Sequence, residues 1–234
     1  MKVERSADLR FHCGGTGSGK SFEQKRLIER RAPPRLIVID PDGEYDGCGY
    51  LNESVADFYK ATCFPVFRAR LRPSFVRSVA EREFDLVCQM VRWHVDPQPH
   101  QAPPPRVAPL TFVVDELADY VGPSFRDAPE SWQWIIRRGR KYGVTLFAAS
   151  QRPAQIDKTF FDLATTIRTG RLNNDDSQVT VAHALGVSAQ EVRALTGYAW
   201  IERDKNSGRL ARGDERGRSM TGRGATAPGR SPKS

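Results

Sequence analysis

CGGTGSGKS, residues 13–21, decides the fold of this chain. The spacing from Gly14 through four residues to Gly19, Lys20 and Ser21 fits the phosphate-binding pattern G-x-x-x-x-G-K-[ST] at every fixed position. Glycines adopt backbone angles closed to other residues, so that consecutive N–H groups can turn inward and cradle an anion. The stretch DLRFHC before the loop is typical of a short strand, and SFEQKRLIERR after it is typical of a helix. This context favours a phosphate loop over a glycine-rich turn that binds nothing.

Each part of the loop has a predicted task toward a nucleotide. Lys20 places a positive charge on the β and γ phosphates, and Ser21 offers an oxygen ligand to magnesium. The helix that begins there directs the positive end of its dipole at the phosphates. The predicted nucleotide-binding residues are Gly14, Gly15, Thr16, Gly17, Ser18, Gly19, Lys20 and Ser21.

Composition limits the class of protein. With 234 residues, 39% of them hydrophobic, the chain can build one sizeable core. No apolar run approaches the roughly 20 residues of a membrane span, and the N-terminus is charged rather than signal-like, so we expect a soluble protein of the cytoplasm. The four cysteines form no C-x-x-C pair, and we assign no metal to them.

The positive charge is concentrated at the C-terminus. The net charge is +8, and residues 209–234 contain seven Lys or Arg against two acids. This segment is rich in Gly, Ser, Arg and Pro and poor in large apolar residues, so we predict a motor domain over residues 1–208 and a disordered basic tail over 209–234. Such a tail points toward a polyanionic partner, although a solvated tail without a task is also open.

Apolar strands alternate with helical patterns along the rest of the chain. RLIVID, LTFVVDE and VTLFAA are continuous apolar runs of the kind that is buried in a parallel sheet. Helices are predicted between them, and residues 198–211 are predicted to close the domain as a hairpin over Asn206, Ser207 and Gly208. The predicted class is α/β, with one parallel sheet and helices on both faces.

Polar residues end several of these strands. In a parallel sheet ligands bind at the carboxyl ends of the strands, so the phosphate loop, Asp40, Asp115 with Glu116, and Gln151 are expected to converge. Asp115 is placed to hold the magnesium ion, and Glu116 to accept a proton from an attacking water. The alternative for the acidic pair is a helix N-terminus that begins with acids.

Two further groups could complete a catalytic site. The amide of Gln151 can sense a γ-phosphate or orient the water, although a capping role is equally open. Arg137, Arg138, Arg140 and Lys141 precede the strand that ends at Gln151. One of these guanidinium groups could stabilise transition-state charge in its own site or a neighbour's, or the run could be a solvated helix end.

Four stretches, GGTGSGKS, VIDPDGEY, FVVDELADY and GRKYGVTLFAASQRP, together resemble the FtsK and HerA superfamily of DNA-pumping ATPases over roughly residues 9–203. The acidic pair in DELAD and the glutamine in SQRP are its most distinctive parts. The resemblance implies a P-loop NTPase fold of the ASCE or RecA-like type, with ATP and Mg²⁺ at Lys20, Ser21 and Asp115. It also implies a catalytic Glu116, a polar sensor at Gln151 and an arginine finger matched by Arg140. The implied assembly is a homo-oligomeric ring, usually a hexamer, that threads double-stranded DNA.

Departures from the larger members narrow the expected role. Chromosome translocases of this superfamily carry membrane spans and a winged-helix domain, and the HerA branch carries an N-terminal barrel, for which this chain has no room. As a motor domain without these additions, the chain resembles the genome-packaging ATPases of tailless, membrane-containing viruses with double-jelly-roll capsids. Assembly proteins of filamentous phages match less well. We therefore expect a packaging motor in the host cytoplasm or on the virion, with capsid vertex or membrane proteins as candidate partners. A plasmid, conjugative or chromosome pump, an ATP-switched DNA-binding regulator and a small-molecule phosphotransferase remain alternatives.

Overall fold

One nine-stranded sheet organises the chain. The computed structural model describes residues 7–96 and 108–214. Its strands are β1 (Leu9–Cys13), β2 (Arg35–Ile39), β3 (Tyr50–Asn52), β4 (Phe67–Leu71), β5 (Leu110–Val114), β6 (Val144–Ser150), β7 (Thr166–Thr169), β8 (Ala199–Asp204) and β9 (Leu210–Asp214). They lie in the order β3-β4-β2-β5-β6-β1-β7-β8-β9. The first seven of these are parallel, and β8 and β9 are added antiparallel at one edge.

Seven α-helices lie within the described ranges. They are α1 (Lys20–Arg31), α2 (Val55–Thr62), α3 (Arg77–Val95), α4 (Glu130–Arg138), α5 (Lys158–Leu163), α6 (Asp175–Leu185) and α7 (Ala189–Arg193). None of the helices within the described ranges is both long and apolar enough to cross a membrane.

Alternate strand residues face opposite helical layers. Leu36 and Val38 of β2 join a cluster with Leu27 and Ile28 of α1. Ile37 and Ile39 of the same strand instead join the larger core that contains the buried side chains of the other helices. Because β2 is buried on both sides, its sequence is a continuous apolar run rather than an alternating one. The predicted parallel sheet with helices on both faces is confirmed.

The C-terminal hairpin corrects the predicted end of the domain. Residues 205–209 connect β8 to β9, and the two strands pair from Ala199↔Asp214 to Arg203↔Leu210, as the hairpin prediction required. Leu210–Asp214 therefore belongs to the sheet, so the tail cannot begin at residue 209. Backbone pairing with β8 outweighs the shortage of large apolar side chains in this strand. The rest of the predicted tail, residues 215–234, lies outside the described residues.

Candidate nucleotide-binding site

The glycine loop follows β1 and is hydrogen-bonded to residues at the ends of β6 and β7, the two strands that flank β1. The N–H of Gly14 donates to the carbonyl of Ser150 at 3.2 Å, and the N–H of Gly15 donates to the carbonyl of Arg171 at 2.7 Å. Gly14 has φ +150°, and a Cβ there would lie 2.3 Å from Ser18 Oγ. The tight first turn of the loop therefore requires glycine at position 14.

Lys20 and Ser21, the two side chains that the loop pattern specifies, lie at the start of α1. Lys20 Nζ donates to the carbonyl of Gly15 at 3.3 Å, so its ammonium group lies over the loop. Ser21 Oγ donates to the carboxylate of Glu44. The N-terminus of a twelve-residue helix thus faces the same space as the lysine, which favours an anion there.

Asp115 and Glu44 form an acidic group opposite Ser21. Burial and repulsion from the nearby Glu44 carboxylate raise the pKa of Asp115 to about 7. A hydroxyl and two carboxylates are the hard oxygen ligands that Mg²⁺ prefers, and a divalent cation would relieve the repulsion between the acids. The residues present therefore fit a magnesium ion held by Ser21 and Asp115, with Glu44 beside it.

Glu44 was missed by the sequence reasoning as a site residue. It lies in the turn VIDPDGEY after β2, and the only signal was the presence of several acids in that turn. Asp40, which ends the strand and was expected to converge on the site, instead binds Arg70 Nη1 at 2.8 Å and accepts from the Tyr45 N–H at 3.2 Å. Asp40 thus has a structural role, and the site is served by Glu44, four residues later.

Glu116 is held in an unusual backbone conformation. Its φ of 46° and ψ of 62° are left-handed, which is uncommon for a residue with a side chain. Ser150 Oγ donates to its Oε1 at 2.8 Å and the Gln151 N–H donates to its Oε2 at 2.9 Å. Burial raises the pKa of Glu116, and these two hydrogen bonds act in the opposite direction. The carboxylate is therefore anchored to the end of β6, next to the phosphate loop.

Gln151 contacts the phosphate loop directly. Thr16 Oγ1 donates to Gln151 Oε1 at 3.0 Å. Because the backbone of Gln151 also holds Glu116, one residue links the loop to the acidic pair. Gln151 is not the N-cap of the short 3₁₀ helix that follows, Pro153–Gln155, because Arg152 holds that position.

Arg140 does not reach this site within one chain. It is an exposed residue in the short 3₁₀ helix Gly139–Tyr142, which precedes the first residue of β6. The site lies after the last residue of the strand, and seven strand residues span about 20 Å at 3.3 Å each. Arg152 lies closer, with Nε 3.8 Å from Glu116 Oε1, and pairs with Asp119.

The assembled residues surround an open pocket of about 410 Å³. Loop residues, the acidic pair, Glu44 and Gln151 all line it. Besides Glu44, the structure adds four residues that the sequence did not suggest, Phe22, Lys25, Asp42 and Tyr198. Tyr198 precedes β8, so only the packing of the hairpin brings it to the pocket.

Fold and site together define a P-loop NTPase of the ASCE type: β6 lies between β1, which leads into the phosphate loop, and β5, which leads into the acidic pair. No family model matches the chain. Protein P9 of Pseudoalteromonas phage PM2 is 30% identical over 182 residues, which cover 78% of this chain and 77% of that protein. The chain belongs to the family of protein P9.

Solved structures show the same fold. The genome-packaging NTPase B204 from Sulfolobus turreted icosahedral virus 2, in complex with AMPPCP, superposes with a TM-score of 0.68 and 16% identity over 88% of this chain and 96% of that one. VirB4 of Thermoanaerobacter pseudethanolicus gives a TM-score of 0.64 and 11% identity over 91% of this chain and 90% of that one. At these identities the likeness shows a shared fold, which is the P-loop NTPase fold that the sequence resemblance implied.

Proposed function

We propose that the protein hydrolyses ATP to move double-stranded DNA, as the packaging motor of a virus. The observation that carries the hydrolysis is the position of Glu116. Its carboxylate is fixed by Ser150 and Gln151 beside the phosphate loop, where it can accept a proton from a water that attacks the γ-phosphate. A protein that only bound ATP as a switch would not need an anchored base there.

The other residues divide the work of binding and positioning. The loop N–H groups and Lys20 hold the β and γ phosphates, and Gln151 orients the attacking water or senses the phosphate. A bound magnesium ion would neutralise charge on the phosphate oxygens, with Ser21 and Asp115 as its ligands. The buried setting of Asp115 and Glu116 strengthens each of these electrostatic contacts.

The coupling to DNA is supported by the relatives. B204 is described as a genome-packaging NTPase, and its structure was solved with ATP-γ-S as well as AMPPCP. We infer for this chain a homo-oligomeric ring, a hexamer by analogy with the superfamily, which would act on DNA in the host cytoplasm at a capsid vertex. In such a ring Arg140 would act on the site of the neighbouring subunit.

Two variants test the chemistry. Lys20→Ala should lose nucleotide affinity, whereas Glu116→Gln should retain it and lose turnover at least about a hundredfold, since general-base effects are typically 10² to 10⁴-fold. Binding of ATP and steady-state phosphate release are measured with and without duplex DNA. Glu29→Gln is the matched control, because it makes the same change at an exposed carboxylate outside the nucleotide pocket. Near-normal turnover by Glu116→Gln would remove Glu116 from the role of base.

A conjugative pump of the FtsK and HerA superfamily is the second candidate, because the same fold and nucleotide pocket would serve it. Both candidates predict hydrolysis that DNA stimulates, which a small-molecule phosphotransferase would not show. They differ in genomic setting: a gene for a double-jelly-roll capsid protein beside this one supports packaging, and conjugation genes support the pump.

A further inference from the structure

A second pocket, of about 420 Å³, lies between α1 and the sheet edge formed by β7, β8 and β9. Six arginines and three acids, Glu23, Glu202 and Asp204, line it, which leaves an excess of three positive charges. We call it the arginine pocket, and its arginines are Arg10, Arg26, Arg30, Arg31, Arg168 and Arg209. The residues that line the nucleotide pocket instead carry an excess of negative charge, because Lys20 and Lys25 stand against four carboxylates.

Two carboxylates bring five of these guanidinium groups together. Glu23, which is 4% exposed, lies 2.5 Å from Arg26, 3.6 Å from Arg30 and 3.8 Å from Arg168. Asp8 lies 2.5 Å from Arg10 and 3.0 Å from Arg31. A guanidinium has five N–H donors, so Arg30, whose side chain is 58% exposed and lies 3.6 Å from Glu23, keeps donors for a second anion. The carboxylates orient the arginines without neutralising them.

Arg168 is held at the base of the arginine pocket by a ring contact and an ion pair. The guanidinium of Arg168 lies 4.0 Å from the centre of the Trp200 ring, and its Nη1 lies 3.6 Å from Glu202. Trp200 is 4% exposed, so its ring supports the arginine and is not available for a base to stack on. The pocket therefore presents charge and hydrogen-bond donors but offers little for reading bases.

We propose that the arginine pocket binds phosphate groups of the DNA backbone. Guanidinium groups pair with phosphates through two parallel hydrogen bonds, and phosphate contacts position a protein on DNA without reading sequence. Duplex DNA is the source of phosphates that the proposed function supplies, and the inference rests on that function. Helix α1 carries Lys20 at one end and Arg30 ten residues later, about 15 Å away, so one rigid element joins the nucleotide site to the DNA contact.

The test removes two exposed arginines of the pocket, Arg30 and Arg209. In Arg30→Gln/Arg209→Gln both charges are lost, and the control Arg82→Gln/Arg126→Gln loses the same charge at exposed positions outside both pockets. Duplex DNA binding is measured at several salt concentrations for the full chain. Each phosphate contact contributes about −0.9 to the slope of log affinity against log salt, so the pocket variant should flatten this slope by about two units and the control should not.

Three results would contradict the proposal. The first is an equal slope for the two double variants, provided that the wild type binds DNA; a wild type that hydrolyses ATP but binds no DNA would instead contradict the proposed function. The second is loss of tripolyphosphate binding with an unchanged DNA slope, which would make the pocket a site for free polyphosphate. The third is loss of the oligomer in the pocket variant alone, measured by light scattering, which would make the pocket a subunit interface. Equal melting temperatures of the variants verify that both are folded.

Discussion

Glu116 shows what a single residue contributes beyond its charge. Ala32 and Glu116 are the non-glycine residues with positive φ in the described ranges. Such a conformation costs on the order of 1 to 3 kcal/mol and persists where surrounding contacts impose it. Here Ser150 and Gln151 supply those contacts. The spacing of the sequence was enough to predict the acidic pair at the end of a strand, but not this backbone angle, because the two donors come from a strand some 35 residues later.

His94 makes the stability of the protein depend on pH. Arg35 Nη2 lies 2.6 Å from His94 Nδ1, and burial together with this guanidinium lowers the pKa of His94 from 6.5 to about 3. The unfolded chain takes up a proton at His94 as the pH falls through 6.5, whereas the folded chain does not until about pH 3. The contribution of His94 is therefore fully present above pH 6.5 and is lost progressively below it.

The variant His94→Gln should reduce this dependence, because glutamine can accept the hydrogen bond from Arg35 but does not titrate. The free energy of unfolding is measured by denaturant at pH 7 and pH 5 for both proteins. The wild type should lose more stability between these values than the variant does, whatever their stabilities at pH 7. Equal losses would show that His94 is protonated in the folded protein at pH 5.

Strand β6 separates two groups that the sequence placed in one catalytic site. Gln151 follows its last residue, and Arg140 lies before its first. If Arg140 serves the neighbouring subunit of the proposed ring, hydrolysis should rise steeply with protein concentration as rings form. Arginine fingers supplied in this way contribute about 10³ to 10⁵ in rate. Mixing Glu116→Gln with Arg140→Ala subunits should partly restore phosphate release, since some interfaces regain both groups.

Subunit exchange is verified in the same samples with two fluorescent labels. Mixed rings without recovered activity would exclude Arg140 and leave Arg137, Arg138 or Arg152 as the finger. Arg152 already lies near Glu116 of its own chain, so Arg137 and Arg138 would be examined first.

The elements that could be predicted from the sequence are those in which every residue is buried and most side chains are apolar. The strands β2, β5 and β6 follow from their continuous apolar runs. In contrast, β4 has the sequence FRARL, in which Arg70 is buried and paired with Asp40 and Asp46. An ion pair supplied by residues outside the strand cancels the charge, so no pattern within the strand could indicate its burial. The same limit applies to Glu44 and Tyr198, which only the packing of loops brings to the nucleotide pocket.

At the scale of the whole molecule, the folded domain ends with β9 at Asp214, and the part of the predicted basic tail after it, residues 215–234, is called the arm. Truncation after Asp214 keeps β9 and removes five basic residues, Arg216, Arg218, Arg223, Arg230 and Lys233. If the arm binds DNA phosphates, the salt slope of DNA affinity should flatten by several units, at about 0.9 for each contact. Hydrolysis without DNA should survive, because every residue of the nucleotide pocket precedes Asp214.

A full-length chain with glutamine at the five basic positions separates charge from length. It should match the truncated protein in DNA binding. An unchanged salt slope in the truncated protein and in the glutamine variant would assign DNA binding to the folded domain, where the arginine pocket offers a site for it.

The position of β1 also determines when the chain can fold during synthesis. This strand lies inside the sheet, yet its partners are β6 and β7, whose paired residues begin at Leu146 and Thr166. More than 130 residues must leave the ribosome before LRFHC and the phosphate loop gain their first neighbouring strand. Until then the apolar segments RLIVI and LTFVV can pair only with each other and with β4, and such incomplete sheets expose edges that aggregate. A nonsense mutation before residue 146 would therefore leave the phosphate loop without any neighbouring strand to support it.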